Sequence, residues 1–241
     1  MRCYSFSSVA TLGEAATLTI KRRRDGVVSK WFNDACELHD TVEVGTPAGE
    51  FVVRPGTAPL LFLAAGSGIT PIFAMLRSTL VETNRRVTLL YANRAASEVI
   101  FAAQLDRLRR EFPDRFTLHH VFTAGGRALL DTALVRTIAE THTADIYLCG
   151  PDGFMRSCER IAADQGIDPG RIFSESFVAD ATDVSDGRPI SVIVERPGST
   201  AVAVQSSVGA TLLHALLQSG APQVGICGGS LSHGELHIRL A

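Results

Sequence analysis

The sequence predicts a chain of mixed class, α/β and β: a doubly wound parallel sheet, with a short all-β region before it and a small β-rich tail after it. Three observations predict this. Leu60 to Ala65 is an unbroken apolar run, as expected of a strand buried on both faces of a parallel sheet. From Pro59 to about Phe177, strand-like and helix-like segments alternate, which calls for crossover helices on a parallel sheet. The flanks have a different texture: turns and period-two alternation up to about Val53, and a polar stretch followed by short strand-like runs near the end. These shifts divide the chain into residues 1–56, 57–178, a linker at 179–189, and 190–241.

In the first region Thr17–Ile20 and Thr41–Val44 alternate inward and outward residues and read as strands, with a short helix over Val28–Asn33 between them. After the buried strand, Pro71–Glu82 carries Ile72, Met75, Leu76 and Leu80 at helical spacing. Thr70 is placed to cap that helix, and Pro71 suits its first position. A strand (Val87–Tyr91), a helix (Ser97–Glu111), a strand (Phe116–Val121) and a helix (Asp131–Glu140) follow. The strand Ile146–Leu148 leads to a helix over Asp152–Gln165, which Gly166 closes, and Ile172–Phe177 is the last strand of the sheet. Val178–Arg188, with three aspartates, reads as the linker. Beyond it, Ile190–Val194 and Ala201–Val204 predict a hairpin. Thr211–Gln218 predicts a helix, Gly225–Gly229 a glycine-rich loop, and Leu236–Leu240 a final strand.

Composition excludes several function classes. Of 241 residues 46% are apolar and 20% charged, which argues against disorder. The 23 basic and 25 acidic residues leave a net charge of −2, so no basic field exists for nucleic acid or an anionic membrane surface. Five cysteines, an odd number in a chain of this size, do not make a secreted disulfide scaffold. No apolar run is long enough to span a bilayer, and Met1–Ser5 lacks the apolar core of a signal peptide. The expectation is a soluble, cytoplasmic protein.

Three motifs point to chemistry. Gly66-Ser67-Gly68-Ile69-Thr70-Pro71 joins the buried strand to a helix, where amides at a helix N-terminus can receive a pyrophosphate and glycines let the backbone come close. A plain tight turn would use the same residues. Cys149-Gly150-Pro151 with Met155 repeats the arrangement at the same sheet edge. A lone cysteine there is more often a small buried residue than a nucleophile. In Arg2-Cys3-Tyr4-Ser5 an arginine suits a phosphate, a tyrosine suits a flat ring, and a hydroxyl suits a ring heteroatom. Gly26 to Ser29, including Val28, opens a short helix and offers a second anion site.

The ordered set Arg2/Tyr4/Ser5, Gly26/Ser29, Gly66/Gly68/Thr70/Pro71 and Cys149/Gly150/Pro151/Met155 resembles the ferredoxin–NADP reductase superfamily. With the tail included, it resembles most the FAD and [2Fe–2S] reductase components of oxygenases, of the phenylacetyl-CoA and ketosteroid hydroxylase type. The resemblance covers nearly the whole chain. It implies a partial FAD-binding β-barrel, an NAD(P)-binding sheet and an incomplete β-grasp ferredoxin-like tail. It implies a flavin-dependent NAD(P)H oxidoreductase that passes electrons to an external acceptor, an oxygenase or a ferredoxin. Arg2 would then bind the FAD pyrophosphate, Tyr4 the isoalloxazine, and Ser5 would face its N5. Gly66 to Thr70 would hold the nicotinamide nucleotide, and Cys149 would lie near its reacting carbon. Glu175 and Phe177 would return to the flavin face, so Ser5, Cys149 and Glu175 become the catalytic candidates. Arg94, at the end of the second strand, favours NADPH over NADH, a solvated surface arginine being the other reading.

Two departures from the family pattern carry expectations of their own. The Arg-x-Tyr-Ser motif begins at residue 2, which leaves the earlier barrel strands unrepresented and opens the alternative of a non-catalytic remnant that binds nucleotide at most. In the tail only Cys227 matches a cluster ligand; His233 and Leu236 stand at the next two positions, so the [2Fe–2S] cluster is expected to be lost. Cys227, His233 and His237 have a spacing compatible with zinc, a lesser expectation that a decayed ferredoxin loop explains equally well.

Overall fold

The computed structural model describes residues 2–24, 26–177, 189–195, 202–207 and 237–240. Five parallel strands form the main sheet: β1 (Leu60–Ala65), β2 (Val87–Asn93), β3 (Phe116–Phe122), β4 (Asp145–Cys149) and β5 (Ile172–Glu175), in the order β3-β2-β1-β4-β5. The order reverses at β1, so the carboxyl ends of β1 and its neighbours open onto a crevice between diverging connections.

Alternation along β1 decides which face each residue serves. Leu60, Phe62 and Ala64 pack under α2 (Ile69–Glu82) and α3 (Ala102–Glu111), while Leu61, Leu63 and Ala65 pack under α4 (Arg127–Glu140) and α5 (Asp152–Asp164). Every residue of β1 is buried, as its apolar run requires. Just past the end of α5, Gly166 has φ 71°. Gly166 and Ile167 donate back to the carbonyls of Ala163 and Ala162 at 2.9 and 3.0 Å, so the expected glycine closure is present.

Three local expectations are corrected. The two strands expected near the start do not form: Thr17–Ile20 and Thr41–Val44 make no ladder, and among the described residues there the pairing is one antiparallel bridge, Phe6 with Leu18. A two-residue pairing without further strands on either side gains too little to extend. Thr70 does not cap α2. A 3-10 turn over Gly66–Gly68 starts the helix at Ile69, and Thr70 donates to the Ser67 carbonyl at 3.0 Å; Pro71 is the third helical residue, still in the first turn where no amide needs an intrahelical acceptor. The third helix starts at Ala102 rather than Ser97, because Phe101 takes a left-handed conformation (φ 62°) and stacks on Phe73 at 4.1 Å.

Below the sheet, at the amino ends of the strands, Arg85 is buried and holds three groups. It pairs with Asp145 at 2.9 Å and donates to the carbonyls of Arg54 and Ala58. That clamp fixes the segment entering β1, and the Tyr147 hydroxyl adds an acceptor for the Arg54 amide at 2.9 Å.

By contacts the chain forms two compact units. The larger comprises residues 4–41 and 50–177, including helix α1 (Val27–Asp34); the smaller comprises residues 1–3, 42–49 and 178–241. In the smaller unit β6 (Pro189–Glu195) and β7 (Val202–Ser207) make the expected hairpin, and β8 (His237–Leu240) pairs antiparallel with the other side of β6. The expected helix at 211–218 and the loop at 225–229, with Cys227 and His233, lie outside the described residues. No helix among the described residues is long and apolar enough to cross a membrane.

Candidate functional site

The site is organised by one row of residues across the carboxyl end of the main sheet. Strand register places Tyr91, Ala64, Cys149 and Glu175 side by side on β2, β1, β4 and β5. Parallel partners point to the same face, so this row lies on the side covered by α2. Directly above it the chain leaves β1 through Gly66, whose φ of 54° is one that residues with a Cβ adopt only at a cost.

The two glycine turns touch each other. A Cβ on Gly68 would sit 2.1 Å from the Cys149 carbonyl oxygen and 2.7 Å from the Gly150 nitrogen. A Cβ on Gly150 would sit 2.8 Å from the Phe154 ring and 3.0 Å from Ala65 Cβ. Gly68 and Gly150 are therefore glycines because backbones meet there. Around the missing side chain of Gly66, by contrast, the one neighbour among the described residues is Lys21 Nζ at 3.8 Å, which leaves room for a ligand phosphate.

Cys149 is fully enclosed in the core, and burial, with Glu175 adding to it, pushes its thiol far above the ordinary range. An enclosed thiol that stays protonated is no nucleophile, so what Cys149 presents to the turn is its backbone. Met155 is likewise packed into the core on the opposite face, with Leu148 and Ile161. Pro151 is exposed and precedes the first turn of α5.

Ser5 and Glu175 lie 170 residues apart in sequence and meet here. The Ser5 hydroxyl donates to Glu175 Oε2 at 2.9 Å. Burial raises the Glu175 carboxyl above the usual carboxylate range, and the bond from Ser5 partly offsets that. Tyr4 is half-buried, edge-on to Phe32 at 6.2 Å, with Trp31 against Phe32 at 4.9 Å. Phe177 is exposed. Arg2 is exposed and belongs to the smaller unit.

Gly26 is the N-cap of α1, and its missing side chain has a local reason. A Cβ there would lie 2.3 Å from Ser29 Oγ, which is buried and accepts the Arg23 amide at 3.2 Å. Ser29 thus shapes the entry to α1 with its hydroxyl already engaged, and Val28 is half-buried beside it. The first-turn amides of α1 stay available as donors.

Sequence reasoning missed three residues. Lys21 Nζ lies 3.8 Å from where a Gly66 Cβ would be and pairs with Glu98 at 3.2 Å, which puts a cation at the open glycine. The basic run Lys21–Arg24 was a signal for it. Tyr91 is buried, and its hydroxyl donates to the Gly66 carbonyl at 2.9 Å; burial pushes the phenol up to about 12, so it remains a donor at any working pH. Asn93 is buried at the end of β2, its side-chain amide beside the Tyr91 hydroxyl without a hydrogen bond of ordinary geometry. Neither Tyr91 nor Asn93 stands out from its apolar strand in the sequence. Arg94, next along, is exposed, and its carbonyl accepts the Ala124 amide at 3.2 Å.

Residues 62–160 match the oxidoreductase NAD-binding domain family. The chain is 34% identical, over 99% of its own length and 73% of the relative, to the 3-ketosteroid-9-alpha-monooxygenase ferredoxin reductase component of Mycolicibacterium smegmatis. The component of the same description in Mycobacterium tuberculosis H37Rv is also 34% identical, over 91% of this chain, and the chain spans 63% of that relative's length. Among solved structures, phthalate dioxygenase reductase, described as a modular structure for electron transfer from pyridine nucleotides to [2Fe–2S], covers 96% of this chain and 70% of its own. The TM-score is 0.66 at 23% identity, a likeness of fold.

Proposed function

This chain belongs to the ferredoxin–NADP reductase superfamily, and from that premise we propose that it is a flavin-dependent NAD(P)H oxidoreductase, the reductase component of an oxygenase. The observation that carries the proposal is the Ser5–Glu175 hydrogen bond. It joins the segment suited to a flavin ring to the carboxyl edge of the nucleotide sheet, next to Cys149 in register.

The residues fit the two nucleotides. At Gly66 a left-handed backbone, open space and the Lys21 ammonium together make a cradle for a pyrophosphate, backed by the amides at the start of α2. Arg94, exposed beyond β2, is a cation for a ribose 2′-phosphate and favours NADPH; NADH is the alternative. Toward FAD, Tyr4 offers a ring face, and the likeness to the family assigns the pyrophosphate to Arg2. Gly26 and the first turn of α1 offer amides, and Ser5 a hydroxyl at the flavin edge. FAD, when bound, supplies a ring that takes a hydride from a nicotinamide and releases electrons singly.

The chain's own residues then have defined tasks. Glu175 sits in a buried setting that makes its carboxyl more basic than usual, and Ser5, donating to Oε2, orients it as a group able to take up or pass on a proton. The Gly68–Cys149 contact fixes the separation of the two turns that would hold the nicotinamide nucleotide. With Cys227 the one cluster-type ligand in its loop, a bound FAD would serve an external oxygenase or ferredoxin directly, without a resident [2Fe–2S] centre. We place the protein in the cytoplasm on the same reading.

The second reading, a non-catalytic nucleotide-binding module, is favoured by one observation: the described residues within 2–59 make one β-bridge and no strand ladder. One experiment separates the two. The purified chain is mixed with FAD, freed of excess, and its visible spectrum recorded before and after NADPH. A retained band at about 450 nm that bleaches is expected of the reductase, the absorption being the cofactor's own. A colourless protein would overturn the reductase reading, and added iron–sulfur absorption would overturn the loss of the cluster.

A further inference from the structure

We infer that Tyr91 is a positioning residue for the dinucleotide: its buried hydroxyl sets the Gly66–Ser67 peptide plane so that the Ser67 amide faces the pyrophosphate. The inference rests on the nucleotide-binding reading of the Gly66 turn.

Carbonyl directions in the turn carry the argument. Gly66 O accepts the Tyr91 hydroxyl at 2.9 Å and also the Ile69 amide. Ser67 O accepts the Thr70 hydroxyl at 3.0 Å and shares the Ile69 amide. Both carbonyls are thereby held on the inner side of the turn. In a trans peptide the N–H points opposite to the C=O of the same plane. A Gly66 carbonyl held down toward Tyr91 therefore turns the Ser67 N–H away from Tyr91, and a cation, Lys21 Nζ, lies 3.8 Å from the Gly66 Cβ position.

The left-handed φ of Gly66 makes this tether consequential. Glycine reaches several backbone wells at similar cost, so the turn needs an outside contact to hold one of them. Tyr91 supplies it from a rigid base. It is completely buried at the centre of the sheet, flanked in register by Ala64 and His120. Its hydroxyl has a further partner: the Ile100 amide donates to it at 3.4 Å. Ile100 precedes left-handed Phe101, so the loop from β2 to α3 and the Gly66 turn share one hydroxyl. A phenylalanine would fill the same volume and leave the Gly66 carbonyl half satisfied and the Ile100 amide without its acceptor.

The test is titration calorimetry of the full chain and Tyr91→Phe with NADP+, NAD+ and, as a probe without phosphates, adenosine. Loss of one neutral hydrogen bond that orients the turn should weaken the tighter dinucleotide about three- to tenfold, with adenosine unchanged. Equal affinities in the two proteins, or an equal loss for adenosine, would overturn the positioning role. If the unsubstituted chain binds neither dinucleotide, the nucleotide-binding reading itself falls, and the inference with it. Hydrogen exchange on the unsubstituted chain needs no variant. On adding NADP+, amides of 66–70 and of Ile100 should slow together, and slowing at 66–70 alone would sink the shared-hydroxyl argument.

Discussion

Glu14 tests how the segment that carries Tyr4 and Ser5 is held against the nucleotide sheet. Its carboxylate accepts both arms of the Arg77 guanidinium from α2 and the Val9 amide at 2.9 Å, so one side chain ties the first loop to the second helix. These bonds lower its pKa from an ordinary 4.5 to about 2, the Arg77 hydrogen bond first among the causes. At full weight such a shift corresponds to about 3 kcal/mol. The pair is open to solvent on one side, with Glu14 31% and Arg77 24% exposed, and screening leaves about 1 kcal/mol. The sign follows from linkage: a carboxylate depressed in the folded state contributes above pH 4.5, and the contribution is lost as pH falls from there toward 2. Glu14→Gln should therefore destabilise the chain by about 1 kcal/mol at pH 7 and by almost nothing near pH 2. Urea unfolding of both proteins across that range is the assay. Parallel stability profiles, with a constant difference or none, would refute the tie. The same variant should weaken FAD retention, since the loop it loosens carries Ser5.

Four further outcomes follow from the geometry. Gly68→Ala drives a methyl into the Cys149 carbonyl and should cost about 3 kcal/mol and abolish dinucleotide binding, whereas Gly66→Ala meets only backbone strain of roughly 1 kcal/mol; melting temperatures of the two variants decide it. Because burial raises the Glu175 carboxyl, folding stability should decline as pH rises from the ordinary carboxylate range through its folded value. Glu175→Gln should flatten that decline, and Ser5→Ala, which removes the bond favouring the anion, should move it to higher pH; denaturation midpoints against pH read both. Arg85→Met leaves Asp145 short of a partner and two carbonyls unpaired beneath the sheet, and should cost about 3 kcal/mol in urea unfolding. Cys149→Ser should retain some hydride-transfer activity, because the thiol is enclosed and protonated; complete loss in rapid-mixing kinetics with a normal melting temperature would show that the thiol reacts.

The sequence by itself determined the sheet, because burial on two faces leaves a one-dimensional mark: Leu60–Ala65 is apolar throughout, and the helices beside it repeat at their own period. It also located the turns at Gly66 and Gly150, since few residues other than glycine survive where a backbone must bend back or be approached closely. What glycine was for could not be read there. Gly68 is required by the Cys149 backbone, 81 positions later, and Gly26 by the neighbouring Ser29 hydroxyl, whereas Gly66 is left open for a ligand. The strands expected at Thr17–Ile20 and Thr41–Val44 show the converse: alternation marks a segment able to pair, but a ladder needs a partner that local sequence does not supply. Tertiary structure alone decided the site. Register set Tyr91, Ala64, Cys149 and Glu175 in one row, brought Ser5 to Glu175, and turned a tyrosine inside an apolar strand into the support of a glycine turn. Hydrogen bonds between residues far apart leave no periodicity along the chain, and so they become visible only when the strands are laid side by side.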